Sequence, residues 1–172
     1  MSINNAKAKT AFPDDNDDQT PRAIFNDIVE AAQGYWRPLA LIPTHFQHMG
    51  HMTAWRGERS LRVTLSYEAI SYRIRLSVIV ADHVKDTPEI FHDMLYRATA
   101  AYPRGKAIYD SNLRVVIAES NGDTIYKEAI PWVIESIYKD FSNLLNDDCL
   151  RSALSISKAR LLGTPLDIWD HE

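Results

Sequence analysis

Three histidines lie close together in the stretch THFQHMGH, and their type suggests metal chemistry. His45, His48 and His51 could hold zinc or another divalent ion if their imidazole rings converged. On a helix, two successive three-residue steps would spread them over about 120°, so only adjacent members would be neighbours. Gly50 also disfavours a regular helix here, and no cysteine or carboxylate lies within the cluster. A polar loop is the favoured interpretation. A small metal-dependent enzyme built on these histidines is the alternative.

A second set of chemically capable residues opens the helix that we predict after Thr87-Pro88. Glu89 and His92 are three residues apart and share a helix face, with Asp93 beside them. Di-iron helix bundles use this spacing, but they need a second Glu-x-x-His copy, which this sequence lacks. Glu89 therefore complements the positive end of the helix, and His92 is predicted to be an exposed helix residue rather than a catalytic base.

Other catalytic signatures are absent from the sequence. It contains no G-x-S-x-G, no phosphate-binding glycine loop and no G-x-G-x-x-G, and only six glycines in total. The single cysteine, Cys149, follows Asp147 and Asp148, and this acidic setting should raise its thiol pKa. We therefore predict a protein without enzymatic activity that uses no metal and no cofactor.

Composition sets the broad class. The 172 residues are 45% hydrophobic and 24% charged, enough for one domain with a core, and the net charge of -4 argues against nucleic acid as a partner. One cysteine excludes an internal disulfide. Residues 1–19 are small and polar, with an acidic run at 14–18, and they lack the apolar segment of a signal peptide. We expect a flexible acidic arm and a cytoplasmic protein that does not enter membranes.

The elements that must position any site are organised around Leu61–Val80. Apolar residues alternate with polar ones over 61–67 and again over 70–80, which is typical of two half-buried strands. The short break at Glu68-Ala69 predicts a hairpin between them. One face of such an antiparallel sheet needs a cover of helices, and the other can remain in water.

Helix-start signals flank this hairpin. Thr20-Pro21 predicts a helix that ends at Gly34, and Thr87-Pro88 predicts another. The two prolines of 35–43 favour an irregular connector. The remaining predicted elements are strands at 51–56, 105–109 and 113–119, and a long helix from Pro131.

Asn121-Gly122 either caps the last helix or forms a tight hairpin turn, and Pro131 favours the turn with an extra strand at 123–129. The predicted class is α+β, an antiparallel sheet of five or six strands with helices on one face, in the order α-β-β-β-α-β-β-(β)-α. We divide the chain into the arm at 1–19, a single domain at 20–147, and a helical extension with an acidic aromatic tail at 148–172.

This order of elements resembles the YbjN family, whose fold is shared with the class I chaperones of type III secretion. The resemblance covers about residues 21–147 and rests on Val63–Glu68 running into the strand Tyr72–Val80, a proline-led helix, the glycine-led strand Gly105–Asp110, the strand 113–119 and a long closing helix. It implies a non-catalytic bacterial protein, a homodimer that binds protein segments or regulates, and it transfers no catalytic residue.

The polar face of the central hairpin is the predicted partner-binding surface. Arg62, Arg73 and Arg75 share the polar side of the alternation, and Arg114 could join them from a later strand. Guanidinium groups in a row suit carboxylates, so an acidic segment is the expected ligand, and the chain's own arm at 14–18 is one candidate. The alternative is an ordinary solvated strand face.

Tryptophans supply the second partner-binding prediction. Trp36 and Trp132 are assigned to the core or an interface, whereas Trp169 stands in the acidic C-terminal peptide, which could dock on a protein surface. The resulting function is a non-enzymatic, chaperone-like or regulatory homodimer that holds an extended segment of another protein along its sheet edge and a helix-lined groove. A nucleic-acid-associated regulator working through the arginines is a further alternative.

Overall fold

The computed structural model describes residues 20–35, 37–43, 47–56 and 59–162, with side chains described over 20–35 and 63–162. Four helices and seven strands make up these residues. The helices are α1 (Pro21–Ala32), α2 (Glu89–Ala101), α3 (Ile130–Leu145) and α4 (Asp148–Ile156), with a short 3-10 turn at Lys127–Ala129. The strands are β1 (Arg37–Pro43), β2 (Gln47–Arg56), β3 (Arg59–Glu68), β4 (Arg73–Asp82), β5 (Gly105–Asp110), β6 (Val115–Asp123) and β7 (Arg160–Leu161).

The strands form one antiparallel sheet in the order β1-β2-β3-β4-β6-β5, and the two-residue β7 pairs with β4. The predicted hairpin is present, because β3 pairs with β4 from Thr64↔Ser77 to Glu68↔Arg73. Six strands of six residues or more lie within the described ranges, so the α+β class and the antiparallel sheet are confirmed. The predicted extra strand at 123–129 is absent from this part of the chain.

The helices cover one face of the sheet, as alternation predicts. Ile74, Leu76 and Val78 of β4 are buried against them, together with the inward residues of β3 and β6. Helix α3 supplies most of the cover, because it contacts β4, β5 and β6 and buries a continuous stripe from Ile130 to Leu145. Helix α2 packs on β5, and α4 packs on α2 in the same core.

Local sequence explains where α1 begins. The Thr20 side chain accepts a hydrogen bond from the Ala23 backbone N–H at 3.2 Å, and Pro21 stands in the first turn, where its missing N–H is not needed. Phe25, Ile28, Val29 and Ala32 then fall on one buried face. The analogous prediction for α2 is only partly right, since Pro88 itself is the N-cap and no side chain caps that helix.

Asn121-Gly122 is not a turn. β6 runs through both residues to Asp123 and pairs with β4 in the register Arg75↔Asn121 and Ile74↔Gly122. A Cβ at Gly122 would lie only 3.1 Å from Val133 Cγ1, so the missing side chain lets α3 approach the sheet. Pro131 occupies the first turn of α3, where a proline is tolerated, and it gives no evidence for a hairpin.

The predicted connector at 35–43 is wrong, because Arg37–Pro43 forms β1. This strand is the edge of the sheet and pairs with β2 alone, with an irregularity between Pro38 and Ala40. An edge strand needs its N–H groups on one side only, so it accepts prolines that a central strand would not. The prediction failed because it treated the two prolines as residues that interrupt a strand.

Strands β3 and β4 separate beyond Ser77, and β7 occupies the place beside β4. Ala81 pairs with Leu161, and Asp82 with Arg160. The Leu162 backbone N–H donates to Val80 O at 3.1 Å. The residues after α4 are thus fixed to the central strand. Among the described residues, no helix combines the length and apolar character needed to cross a bilayer.

Candidate functional site

The face of the sheet opposite α3 carries no helix among the described elements, and it displays cross-strand rows of side chains. One row joins Glu68, Arg73 and Asp123, and the next joins Ser66, Arg75 and Asn121. A third runs through Thr64, Ser77, Glu119 and Lys106. We call this surface the uncovered face. Its position follows from period-two alternation in β3, β4, β5 and β6.

A row of three isoleucines crosses the uncovered face. Ile117 of β6 pairs with Ile79 on one side and with Ile108 of β5 on the other. Ile79 is 43% exposed and Ile108 38% exposed, while Ile117 is half-buried between them. We call these residues the isoleucine row. Apolar side chains aligned on a face with no packing partner are typical of an interaction surface.

The predicted arginine surface is only partly present. Arg73 and Arg75 lie two residues apart on β4 and share the uncovered face. Arg73 Nε lies 3.2 Å from Asp123 Oδ1, and both side chains are partly exposed. Across the three polar rows, three basic side chains are balanced by three acidic ones: Arg73, Arg75 and Lys106 against Glu68, Glu119 and Asp123. Within these three rows the charges cancel, because Glu68 and Asp123 lie opposite Arg73 on the neighbouring strands.

Arg75 differs from Arg73 in having no carboxylate partner among the described residues. It lies between the uncharged Ser66 and Asn121, it is half-buried, and its Nε is buried without a hydrogen-bond acceptor. A buried donor that lacks an acceptor costs about 1–3 kcal/mol. Among the described residues of the uncovered face, this guanidinium therefore combines a positive charge with an unused hydrogen-bond donor.

Arg114 does not join the other arginines. It precedes β6 in left-handed backbone conformation at φ 55°, at the end of the sheet opposite Arg73. Its guanidinium donates to the Val84 carbonyl at 2.9 Å from Nε and 2.6 Å from Nη2, so it ties two loops together. Arg62 is in β3 opposite Thr53 of β2, beyond the part that pairs with β4, and its side chain lies outside the described set. Trp169 lies outside the described residues, as do Trp36 and the acidic arm.

One edge of the sheet is partly protected against strand addition. The outward N–H of Ala107 in β5 donates to Thr99 Oγ1 of α2 at 2.9 Å, and that hydroxyl in turn approaches Ala107 O at 3.4 Å. The neighbouring Gly105 N–H donates to Tyr102 O at 3.3 Å. Helix α2 thus satisfies the edge of β5, which is a common protection of edge strands. The opposite edge is β1.

The histidine cluster and the Glu89/His92 pair were the other residues singled out for possible chemistry. His48 pairs with Tyr67 and His51 with Thr64 in the backbone register of β2, while the histidine side chains and His45 lie outside the described set. Glu89 is exposed in the first turn of α2, as predicted. The His92 ring contacts Phe91 edge-on at 5.1 Å.

The acidic members of these candidate sets are engaged in helix structure. Asp93 pairs with Arg97 one turn later, at 2.9 Å. The Asp147 carboxylate caps α4 by accepting from the Cys149 and Leu150 N–H groups. Within the residues whose side chains are described, no cluster of three or more His, Cys, Asp or Glu residues could hold a metal.

An ion-pair cluster sits where β4 meets β7. The Arg160 guanidinium hydrogen-bonds Asp82, with Nε 2.8 Å from Oδ1, and His83 Nδ1 lies 2.9 Å from the same oxygen. These contacts, chiefly the hydrogen bond from Arg160, hold the pKa of the Asp82 carboxyl well below its usual range. The cluster fixes β7 in place and is built from exposed surface groups.

A groove of about 610 Å³ lies between α1 and the start of α3, on the helical side of the molecule. Its α1 wall carries Asp27, Glu30 and Tyr35, and its other wall carries Lys127, Trp132 and Glu135. We call it the α1–α3 groove. Trp132 is 62% exposed, so its assignment to the core is wrong, and it forms part of an open wall instead.

The walls of the groove are joined by specific contacts. Lys127 Nζ lies 3.3 Å from Asp27 Oδ2, a buried atom that lacks a hydrogen bond of good geometry. At the other end, Tyr35 stacks on Tyr138 with ring centroids 4.1 Å apart. Burial, with a smaller contribution from Tyr35, raises the pKa of Tyr138 above its usual value.

Sequence reasoning missed the isoleucine row and the groove for different reasons. In the alternation of β4, Ile79 lies on the other face of the strand from Val78 and Val80. The sequence therefore did indicate an apolar residue on the polar face. The groove depends on how α1 and α3 meet, and no spacing within either helix predicts that.

No protein-family model and no curated protein matches the chain. Among solved structures, the chain is similar to one described as "Crystal Structure of the ExsC-ExsE Complex". The sequence identity is 13% and the TM-score is 0.43, with 70% of this chain and 90% of that chain covered. At this TM-score the likeness carries no argument about what the chain does.

Proposed function

We propose that the chain is a non-enzymatic protein-binding module, chaperone-like or regulatory, which holds an extended segment of another protein against its uncovered face. The isoleucine row is the observation that carries this proposal. Ile79, Ile117 and Ile108 are aligned across three strands and leave substantial apolar area in water. Covering such side chains contributes about 25 cal/mol for each Å² removed from water.

The polar rows define what the segment should carry beside its apolar residues. Arg75 has no carboxylate among the described residues, whereas Arg73 is already paired with Asp123. A carboxylate of the partner beside Arg75 would form a charge-assisted hydrogen bond with the guanidinium. The segment is therefore apolar where it crosses the isoleucine row. It carries an acidic residue beside Arg75, which lies on β4 on the same face as Ile79. An acidic segment remains the proposed ligand, but Arg75 is now the arginine proposed to bind its carboxylate.

The edge protection of β5 directs the segment to the face rather than to that edge. Thr99 and Tyr102 already satisfy the outward backbone groups of Ala107 and Gly105. Strand addition, if it contributes, takes place at β1. The proposal also includes a homodimer of the YbjN type and a cytoplasmic location.

The test compares a double variant of the isoleucine row with a matched control. Ile79→Lys with Ile108→Lys places two charges on the uncovered face, while Ile90→Lys places a charge on α2, where Ile90 is similarly exposed at 50%. Each protein is immobilised in parallel, and the proteins that it retains from its native lysate are quantified by mass spectrometry. We expect at least one protein to be retained by the unmodified chain and by Ile90→Lys but reduced about tenfold by the double variant.

Light scattering on the same three proteins separates a partner from a second copy. A dimer that only the double variant converts to monomers would show that the uncovered face pairs with itself, which contradicts the proposed occupant. Retention of the same proteins by all three variants would contradict the proposed site. Thermal unfolding of the variants confirms that each is folded.

A further inference from the structure

We propose that the α1–α3 groove binds the cationic side chain of a lysine or arginine carried by a segment of another protein. This site is independent of the uncovered face, lies on the opposite side of the sheet, and selects the opposite charge. Three lines of evidence support it, namely the charge of the groove, its aromatic wall, and the contacts that two of its lining residues, Asp27 and Trp132, already make with cations of the chain.

The groove has an excess of carboxylates. Asp27, Glu30 and Glu135 line it against the single lysine Lys127, which leaves two negative charges. Lys127 pairs with Asp27, so the excess rests on Glu30 and Glu135. Both glutamates are exposed, and among the described residues no ion pair or hydrogen bond involves either side-chain carboxylate. Glu30 belongs to α1 and Glu135 to α3, so each helix contributes one of them.

The lower part of the groove suits the stem of a long cationic side chain. Ile130 is buried beneath it, and Ala31 and Pro131 add apolar surface. Lysine and arginine bury their methylene stems on such surfaces while the charged head stays at a polar rim. Trp132 and Glu135 are three residues apart on α3 and share one helix face, so an indole ring and a carboxylate are available together.

The chain already binds a cation at each wall. On the α1 side, the Lys127 ammonium lies 3.3 Å from Asp27 Oδ2. On the α3 side, Arg104 Cζ lies 5.6 Å from the centroid of the Trp132 ring, within the range of a cation–π contact. One residue of each wall therefore contacts a cationic side chain of the chain itself. The unpaired carboxylates offer the same chemistry to a ligand.

The size of the groove favours a protein segment as the source of the cation. About 610 Å³ lies within the range of ligand pockets and exceeds the volume of one side chain, so residues on either side of the lysine are accommodated as well. A free amine would fill only part of this space. Apolar residues flanking the lysine would cover Ile130, Pro131 and the indole ring.

The experiment uses the full chain and a synthetic peptide, acetyl-Ala-Leu-Lys-Leu-Ala-amide. Its matched control replaces the lysine with norleucine, which keeps the stem and removes the charge. Binding is followed by NMR of the Trp132 indole N–H, assigned from the spectrum of Trp132→Phe. We expect the lysine peptide to shift this resonance saturably and to bind about tenfold more tightly than the norleucine peptide, because two carboxylates and the indole ring act together.

Two double variants with equal charge change test the residues. Glu30→Gln with Glu135→Gln removes both unpaired carboxylates of the groove, and Glu89→Gln with Glu128→Gln removes two exposed carboxylates that do not line it. The groove variant should bind the lysine peptide no better than the norleucine peptide, whereas the control should keep its affinity within about twofold. Raised salt should weaken binding to the unmodified chain.

Equal affinity for the two peptides, or an equal loss in both double variants, would overturn the proposal. Tighter binding of spermidine than of the lysine peptide would assign the groove to free polyamines and would also overturn it. Because the isoleucine row lies across the sheet, loss of partner retention in Ile79→Lys with Ile108→Lys leaves this test unaffected. The two sites therefore succeed or fail separately.

Discussion

The two faces of the central sheet are built from the same strands but differ in what covers their side chains. On β4, Ile74, Leu76 and Val78 are at most 4% exposed and pack against helices. The alternate residues Arg75, Ser77 and Ile79 of the same strand meet no described helix. The inner face is constrained by packing, so its apolar residues are explained by the fold. The outer face is free of that constraint, so its isoleucines need another explanation, and binding supplies one.

The largest effect in this comparison is expected when one isoleucine of the helix layer and one isoleucine of the uncovered face are each shortened to alanine. Ile137→Ala removes a fully buried side chain of α3, and we expect the free energy of unfolding to fall by about 2–5 kcal/mol. Ile108→Ala removes a partly exposed side chain of the uncovered face, and the loss should be about 1 kcal/mol or less. Urea unfolding measures both. Equal losses would mean that the isoleucine row belongs to the folding core after all.

A smaller effect is expected from substituting alanine on each face of β6. Gly122→Ala places a Cβ 3.1 Å from Val133 Cγ1 and 3.4 Å from Ile137 Cδ1. We expect the free energy of unfolding to fall by about 1–2 kcal/mol, since overpacking outweighs the loss of glycine's flexibility. Asn121→Ala, next to it but on the uncovered face, should change stability by less than about 0.5 kcal/mol.

A second substitution in α3 should relieve the overpacking caused by Gly122→Ala. Val133→Ala makes room beside the added methyl group, so the combined variant should be more stable than the sum of the two single changes predicts. Urea unfolding of the four proteins gives this coupling. A purely additive result would show that the helix does not touch the sheet at Gly122.

The smallest expected effect distinguishes the two arginines of the uncovered face. Arg73→Ala breaks the exposed ion pair with Asp123, which should lower the free energy of unfolding by less than about 1 kcal/mol at low salt and by less still at high salt. Arg75→Ala removes a guanidinium that lacks a carboxylate partner, so its effect should not depend on salt in this way. Urea unfolding at two NaCl concentrations checks both. A matching salt dependence would contradict the assigned pairing.

Local signals predicted the elements whose structure is decided locally. The alternation around residues 61–80 predicted the hairpin, and the Thr20 cap with Pro21 predicted the start of α1, because each depends on a few adjacent residues. Ile70 was predicted to point inward but is 74% exposed in the turn. The pattern alone could not show that the turn extends to Tyr72, whose φ is 54°.

Elements that depend on distant neighbours were not predictable in this way. Gly122 looked like a turn glycine, yet its role is to admit α3, which arrives from later in the chain. Pro38 and Pro43 looked like breakers, yet they lie on a strand that needs half of its hydrogen bonds. Asp123, the carboxylate that pairs with Arg73, comes from β6, so the charges of the β3–β4 hairpin alone did not show this ion pair.

The hydroxyl of Thr99 has a consequence for assembly. Because that group and Tyr102 O already accept hydrogen bonds from the Ala107 and Gly105 N–H groups, these two backbone donors of β5 are not free to pair with an incoming strand. Joining of sheet edges is then favoured at β1, the opposite end of the strand order. Two copies that met through β1 would cover that edge in both, so association of this kind favours a symmetric pair over a fibre.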